Sequence, residues 1–391
     1  MYQIKTYNAI AKEGLDTFKE NYQVNTGQEP DAYMIRSIDL HDHQFEPGLL
    51  AIARCGAGFN NIPLDACSEQ GIAVFNTPGG NANAVKEVVI ALMVIANRNL
   101  IEAANWSAQN VGEDISLRTE REKSRFNGRE LFGKRLAVIG MGHVGSLVAN
   151  AAIDLGMDVI GYAPSLSVDA AWNLTARVQR AATLADAVKG ANFITVHVPK
   201  NEETTGMINQ ELLAQVKPGA ILFNYSRLGI VDNQAAVAAL ANGQLGQYVT
   251  DFGEDCLQNN PKVTITPHRG GSTKEAEINC AKMAVDELTQ YLETGNTTNA
   301  VNLPDVVAPF TSQHRFTIIH RNIPNMLGQI STAIARAEVN IDNLVNRAKG
   351  EYAYTMVDVG ELTAEQTEIL TTTLNQIDAV SRVRLLDRPL P

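Results

Sequence analysis

Cysteine is scarce in this chain: Cys55, Cys67, Cys256 and Cys280 are the only four, and no two have C-x-x-C spacing. That excludes a disulfide framework and argues against a metal site built on thiolates. Long apolar runs are missing too. No stretch approaches the roughly 20 apolar residues that span a bilayer, and the opening MYQIKTYNAI lacks the apolar core of a signal peptide. A soluble, cytoplasmic protein with no membrane partner is the expectation. Positive charge is in deficit, with 32 Lys and Arg against 43 Asp and Glu for a net −11, which speaks against a nucleic-acid partner. Charged residues make up only 19% and hydrophobic residues 45%, so the chain is globular. Its 391 residues are too many for one core and predict two or three domains.

What is present is a glycine pattern. Gly140, Gly142 and Gly145 follow directly on the apolar run Leu136 to Ile139, the order of a buried strand, a tight turn and a helix start. Gly140 permits the turn, Gly142 lets backbone amides approach a pyrophosphate, and Gly145 lets the helix lie close to the strand. Around it, short β-branched or aromatic runs alternate with helical stretches. Arg135 to Ile139, Asp158 to Tyr162, Phe193 to Val198, Ala220 to Tyr225, Gln247 to Phe252 and Val263 to Thr266 read as strands. This is the alternation of a doubly wound parallel sheet, placed at residues 98–271.

The first 97 residues read as a smaller α/β unit, with strands at Leu49 to Arg54 and Ala73 to Phe75 and a long apolar helix from Val85. Residues 272–304, with a helix from about Lys274 to Leu292, are expected to return to it. The mixed-charge segment 100–134 reads as a solvated connecting helix. Past Pro304 the pattern restarts. The strands Arg315 to His320, Val339 to Ala348, Tyr352 to Val359 and Val383 to Leu386 and the helices Met326 to Ala337 and Ala364 to Ile377 give the βαββαβ order of a ferredoxin-like unit over 314–391. A module of this size points to regulation or assembly.

Candidate chemistry sits at the strand ends of the larger sheet, where ligands bind in such folds. Arg227, in the turn NYSRLGIVD, can clamp a carboxylate through two parallel hydrogen bonds and polarise a neighbouring carbonyl. His268, in TPHRGGST, is a proton carrier suited to alcohol–ketone interconversion near neutral pH. Glu254, in DFGED, is the candidate acid to orient it.

These pieces resemble the D-isomer-specific 2-hydroxyacid dehydrogenase family. The matching segments are RCGAGFNNIPLD (54–65), FNTPGGNANAVKE (75–87), GKRLAVIGMGHVG (133–145), ITVHVP (194–199), NYSRLGIVD (224–232), TPHRGGST (266–273) and HRNIPNMLGQIS (320–331), in family order. The spellings NNIP and NANAVKE and the C-terminal unit are similar to the phosphoglycerate-oxidising branch. The resemblance implies a Rossmann-type cofactor domain, a smaller flavodoxin-like α/β substrate domain and a C-terminal ferredoxin-like ACT domain. It also implies NAD-dependent oxidation of 3-phospho-D-glycerate to 3-phosphohydroxypyruvate in L-serine synthesis. Reduction of another 2-oxoacid and a non-catalytic nucleotide-sensing role are the alternatives.

Residue by residue, the resemblance puts Arg227 on the substrate carboxylate and carbonyl, His268 as acid/base and Glu254 as its partner, with Asp255 as the other possible occupant because the chain is shortened after Asp251. Arg54, Gly56, Ala57, Gly58 and Asn81 would bind an anionic 2-hydroxy acid. Gly140, Gly142, His143, Val144, Gly145, Ala163, His197, Pro199, Thr204, Ser226, Asp251, Gly270 and Gly271 would line the NAD site. One departure stands out. The family's second strand usually ends in an aspartate for the ribose hydroxyls, and here Ala163 stands there, with Ser165 and Ser167 but no prompt arginine or lysine after it. The expectation is NAD with reduced selectivity. In the ACT unit His320, Asn322 and Asn340 match effector positions of serine-inhibited relatives, and a homodimer or homotetramer follows from the way such units join sheet edges.

Overall fold

The computed structural model describes residues 1–388, and they form two compact units, one from Met1–Asn81 together with the chain from Lys274 onward, the other Ala82–Thr273. In the first, five strands, β1 (Tyr2–Thr6), β2 (Tyr22–Val24), β3 (Ala32–Ile35), β4 (Ala51–Arg54) and β5 (Ala73–Asn76), lie in the order β2-β1-β3-β4-β5. All pairings are parallel. Such sheets are covered on both faces. On one, Met34, Ala53 and Phe75 pack with Leu288, Tyr291 and Leu292 of the helix Lys274–Thr294. On the other, Tyr33, Ile35 and Val74 pack with Leu40, Leu49 and Cys67.

The second unit carries β6 (Arg135–Ile139), β7 (Asp158–Tyr162), β8 (Gln179–Arg180), β9 (Phe193–Val196), β10 (Ala220–Asn224), β11 (Leu245–Thr250) and β12 (Val263–Ile265). Their order is β12-β11-β10-β9-β6-β7-β8, all parallel. The strand order reverses between β6 and β9, the place where a doubly wound sheet opens a crevice at its carboxyl edge. The helix Ala82–Asn97 groups with this unit rather than with the first 81 residues. Val85, Val89, Leu92 and Met93 share a core with Val148, Ala149 and Ala152 of the helix His143–Asp154. Segment 100–134 is two short helices, Leu100–Gln109 and Ile115–Glu122, and a 3-10 turn, Lys123–Phe126, none of which buries a residue. It is solvated as expected, but it also leaves Leu100, Ile101, Ile115 and Leu117 exposed.

The C-terminal module has the expected βαββαβ order. Strands β13 (His314–Arg321), β14 (Ile341–Lys349), β15 (Tyr352–Val359) and β16 (Val380–Asp387) form an antiparallel sheet, β14-β15-β13-β16. The helices Met326–Arg336 and Ala364–Asn375 cover one face, over Phe316, Ile318 and Val357. The other face, with Ile319, Tyr354 and Met356, closes on Tyr291 and Leu292 of the helix Lys274–Thr294. Among the described residues no helix is long and apolar enough to cross a membrane.

That same helix buries an acid. Glu287 is 6% exposed, accepts one hydrogen bond from Asn299 Nδ2 at 2.8 Å, and has no partner for Oε2. Burial pushes its pKa from 4.5 up to about 8, so the folded protein holds a proton here that the unfolded chain releases. The stability that this proton contributes is complete below pH 4.5 and is lost as pH rises to about 8. Glu287→Gln should therefore flatten the decline in Tm between pH 5 and 9 and gain roughly 2–4 kcal/mol over the parent at the alkaline end. Parallel Tm-against-pH curves for the two proteins would refute this account.

Candidate active site

The glycine turn is shaped by backbone exclusion. The chain leaves β6 at Gly140 with φ +93°, where an added Cβ would meet the His197 carbonyl oxygen at 2.5 Å. A Cβ on Gly145 would coincide with the Gly140 carbonyl oxygen. Gly142 is different. It precedes the helix His143–Asp154 at φ −75°, makes no side-chain cap, and has nothing within 4 Å of a would-be Cβ. Two glycines thus press strand and helix together, and the third leaves the space before the amides of His143 and Val144 open, as a pyrophosphate requires.

Around the turn the other expected cofactor residues share the carboxyl edge of the sheet. After β7, Ala163 packs against the core and offers no carboxylate. After β9, the His197 amide donates to the Ile139 carbonyl at 2.7 Å and its Nε2 meets Thr195 Oγ1 at 2.8 Å. Burial pulls this imidazole down to about 3, so it is neutral near pH 7. Thr204 Oγ1 donates to the Pro199 carbonyl at 2.6 Å, closing the turn beside it.

At the end of β10, Asn224 staples the next turn, accepting from the Ser226 amide at 3.2 Å and donating to the Arg227 carbonyl at 3.1 Å. Ser226 Oγ donates to the Val198 carbonyl. Arg227 is half-buried, its Nη1 donates to the Ser226 carbonyl at 2.8 Å, and burial lowers its pKa. It forms no ion pair among the described residues, leaving donors for a substrate carboxylate.

His268, beyond β12, is exposed and has φ +51°, a sparsely populated conformation for a non-glycine residue. Its amide donates to the carbonyls of Thr266 at 3.0 Å and Asp251 at 3.2 Å, and its ring lies 5.1 Å from that of Phe252. The Asp251 carboxylate gathers the rest of this turn: Oδ1 accepts from the Arg269 amide at 2.9 Å and from Thr266 Oγ1, and Oδ2 from the Gly270 amide at 2.7 Å. Gly271 completes the turn. Glu254 is not joined to His268 by a hydrogen bond; it accepts from Asn233 Nδ2 at 2.7 Å. Asp255 opens a short 3-10 turn and binds Gln258 at 3.1 Å.

In the first unit the expected substrate loop follows β4 and β5. Arg54 Nε donates to the Arg36 carbonyl at 3.1 Å, and Arg36 pairs with Glu277 at 2.7 Å. Gly56 has φ +155° and leaves no room for a Cβ beside the Arg54 guanidinium. Its carbonyl accepts from the Thr77 amide at 3.2 Å, and that of Ala57 from Asn76 Nδ2 at 2.7 Å. Gly58 follows, and Asn81 ends the adjacent turn, where a Cβ on Gly80 would be 2.7 Å from Cys280 Sγ.

The three expected effector residues are not gathered within one chain. His320 is buried in β13, with Nδ1 on the Arg321 carbonyl at 2.8 Å and Nε2 on Thr355 Oγ1 at 2.9 Å. Asn322 lies just beyond and donates to the Gly350 carbonyl at 3.2 Å. Asn340 precedes Ile341, which pairs with Val359, itself opposite His314 at the far end of β13. That is a strand length away, about 20 Å. The residues that sequence reasoning missed are Tyr225, Thr266 and Asn233; the signal for the first two was a hydroxyl side chain just past a strand, two places before a candidate catalytic residue.

Residues 90–270 match the family described as D-isomer specific 2-hydroxyacid dehydrogenase, NAD binding domain. The chain is 32% identical over 356 residues to D-3-phosphoglycerate dehydrogenase of Synechocystis sp., covering 85% of this chain and 62% of that protein. It is 30% identical over 367 residues to a putative D-3-phosphoglycerate dehydrogenase of Schizosaccharomyces pombe, covering 86% and 74%. It spans only about half to three fifths of the length of several of the curated relatives it matches. Its fold is similar to that of NAD+-bound 3-phosphoglycerate dehydrogenase of Entamoeba histolytica, with a TM-score of 0.61 at 23% identity over 77% of this chain and 98% of that one.

The three glycines should separate on mutation. Gly145→Ala should destabilise the protein by about 1–3 kcal/mol through overpacking. Gly142→Ala should leave Tm unchanged while weakening NADH binding at least tenfold, about 1.4 kcal/mol. Equal effects of the two on Tm would contradict the division of labour.

Proposed function

Because the chain belongs to the D-isomer-specific 2-hydroxyacid dehydrogenase family, we propose that it oxidises 3-phospho-D-glycerate to 3-phosphohydroxypyruvate with NAD, in L-serine synthesis in the cytoplasm. The observation that supports this most is the grouping of an unpaired arginine, a strained histidine turn and the glycine turn at the carboxyl ends of one parallel sheet.

Arg227 holds the substrate carboxylate and draws charge from the C2 oxygen. His268 accepts the C2 hydroxyl proton in the oxidative direction and returns it in reduction. Bound NAD supplies the hydride acceptor. Glu254 is the proposed partner of His268 and takes that role by exchanging Asn233 for the imidazole; Asp255 is the alternative. Arg54, with the backbone of Gly56 to Gly58 and with Asn81, takes the anionic far end of the substrate. Gly140, Gly142 and Gly145 take the pyrophosphate in this reading, and Ala163 leaves the ribose end without the carboxylate that excludes a 2′-phosphate.

We further propose a homo-oligomer. The exposed apolar residues of segment 100–134 support pairing. An L-serine effector site would need two copies, since Asn340 is a strand length from His320 and Asn322 in one chain.

A steady-state panel of 2-hydroxy and 2-oxo acids, phosphorylated and not, with both nicotinamide cofactors, tests the reading. The expected outcome is the highest kcat/KM for 3-phosphoglycerate and its ketone, and a preference for NADH over NADPH of less than about 100-fold. His268→Ala should lower kcat by at least 100-fold with little change in KM. A strong NADPH preference, or full activity in the histidine variant, would overturn the corresponding assignment.

A further inference from the structure

Between the Arg227 turn and the His268 turn runs a line of hydroxyls that the proposed chemistry does not use. Tyr225, the last residue before Ser226 and Arg227, is 6% exposed, and its hydroxyl lies 2.6 Å from Thr266 Oγ1. Thr266 Oγ1 in turn donates to Asp251 Oδ1. The direction of the protons follows from counting. A carboxylate only accepts, and Thr266 has one hydroxyl proton, which goes to Asp251. Tyr225 must therefore donate to Thr266, giving a one-way chain from Tyr225 through Thr266 to Asp251.

The chain crosses three strands. Tyr225 follows β10, Asp251 follows β11 and Thr266 follows β12, and β11 lies between the other two. Its terminus, Asp251, is 4% exposed and also binds the amides of Arg269 and Gly270, on the C-terminal side of His268. The Asp251 and Thr266 carbonyls hold the His268 amide itself. The turn is packed directly on the tyrosine: a Cβ on Gly270 would lie 2.9 Å from Tyr225 Cδ1 and 3.1 Å from Asp251 Oδ2. The left-handed backbone of His268 is thus held from both sides by groups that Tyr225 and Thr266 orient.

We propose that Tyr225 and Thr266 are positioning residues that fix the His268 turn relative to the Arg227 turn. This rests on the roles given above to Arg227 and His268. Neither hydroxyl reaches the reacting atoms; both act through Asp251. Misplacing a proton carrier by a fraction of an ångström lowers turnover without removing the binding groups.

The test uses Tyr225→Phe, Thr266→Val, the conservative Thr266→Ser and the Tyr225→Phe/Thr266→Val pair, in the full chain. Tyr225→Phe and Thr266→Val should each lower kcat about tenfold, with the NADH Kd unchanged within twofold, and Thr266→Ser should restore at least half of the parent kcat. The double variant should be no slower than Thr266→Val alone, because both act through one chain. Independently of activity, the His268 imidazole 13C resonance should shift or broaden in Thr266→Val and return in Thr266→Ser. Parent turnover in both single variants, additive losses, or an unmoved His268 resonance would overturn the proposal. A parent protein inactive on every substrate, but with a His268 resonance that moves as stated, would overturn the functional reading and leave the positioning role supported.

Discussion

The carboxyl end of the helix Lys274–Thr294 is the point on which the first unit closes. The last carbonyls of a helix have no donors within it and carry the negative end of its dipole. Arg384 donates to the carbonyls of Tyr291 and Leu292, at 3.2 and 2.9 Å, and Arg315 to that of Thr294, at 2.9 Å. Arg315 is fully buried. Its remaining donors go to Asp358, at 2.5 and 2.9 Å, and to the carbonyls of Ala308 and Pro309, at 3.2 and 2.7 Å. All five N–H groups of the guanidinium are therefore matched. Loss of either partner from such a pair leaves an uncompensated buried charge at a cost of about 3–5 kcal/mol.

This docking makes the C-terminal module part of the body beneath it. The sheet face that carries Arg315 and Arg384 is covered by the helix that underlies β4 and β5. Further along, the same helix brings Ala281 into close contact with Gly14 and Cys280 with Gly80, each with no room for a Cβ on the glycine. Displacing the module would draw on the helix, and the helix cannot shift without disturbing the Thr77–Asn81 turn beside the proposed substrate loop. The second unit reaches rigidity differently. There the tightest approaches are backbone on backbone, Gly145 on Gly140 and Gly140 on His197, and no charge is needed to hold strand and helix together.

Six of the seven strands around the glycine turn were legible because parallel strands covered on both faces read as unbroken apolar runs, as β9 and β10 do; β8, two exposed residues at the sheet edge, was not. β1, β2 and β3 were not. β1 carries Gln3 and Lys5 and is only partly buried, and β2 is a three-residue edge strand; β3 is as short and as buried as β9, and its length and burial do not set it apart. Arg227 and His268 could be chosen because each is a distinctive side chain at a strand end. Their supports could not, because the role of Tyr225 depends on the placing of β10, β11 and β12 side by side. Glu254 shows the same limit: nearness in sequence to a strand end suggested a partner for His268, but Asn233, from the start of the helix Asn233–Ala241, occupies it. Asn340 and His320 match effector positions by resemblance, and the antiparallel register puts them at opposite ends of one sheet in a single chain.

The two ends of the proposed cofactor site are built to different standards. At the reacting end, the turns bearing Arg227 and His268 are each held by several hydrogen bonds to buried groups. At the ribose end, β7 runs out into Ala163, and the serines that follow are exposed; Ser167 Oγ is taken up by the Ala170 amide at 3.1 Å. In the proposed roles of His268 as proton carrier and Arg227 as carboxylate clamp, rigid placement acts on the transition state, whereas contacts to a remote ribose add binding that substrate and transition state share. On the proposed assignment, Ala163 gives up discrimination between nucleotides while leaving Arg227 and His268 untouched. The sequence departure at Ala163 and the concentration of hydrogen bonds around Asp251 thus fall at opposite ends of the proposed cofactor site.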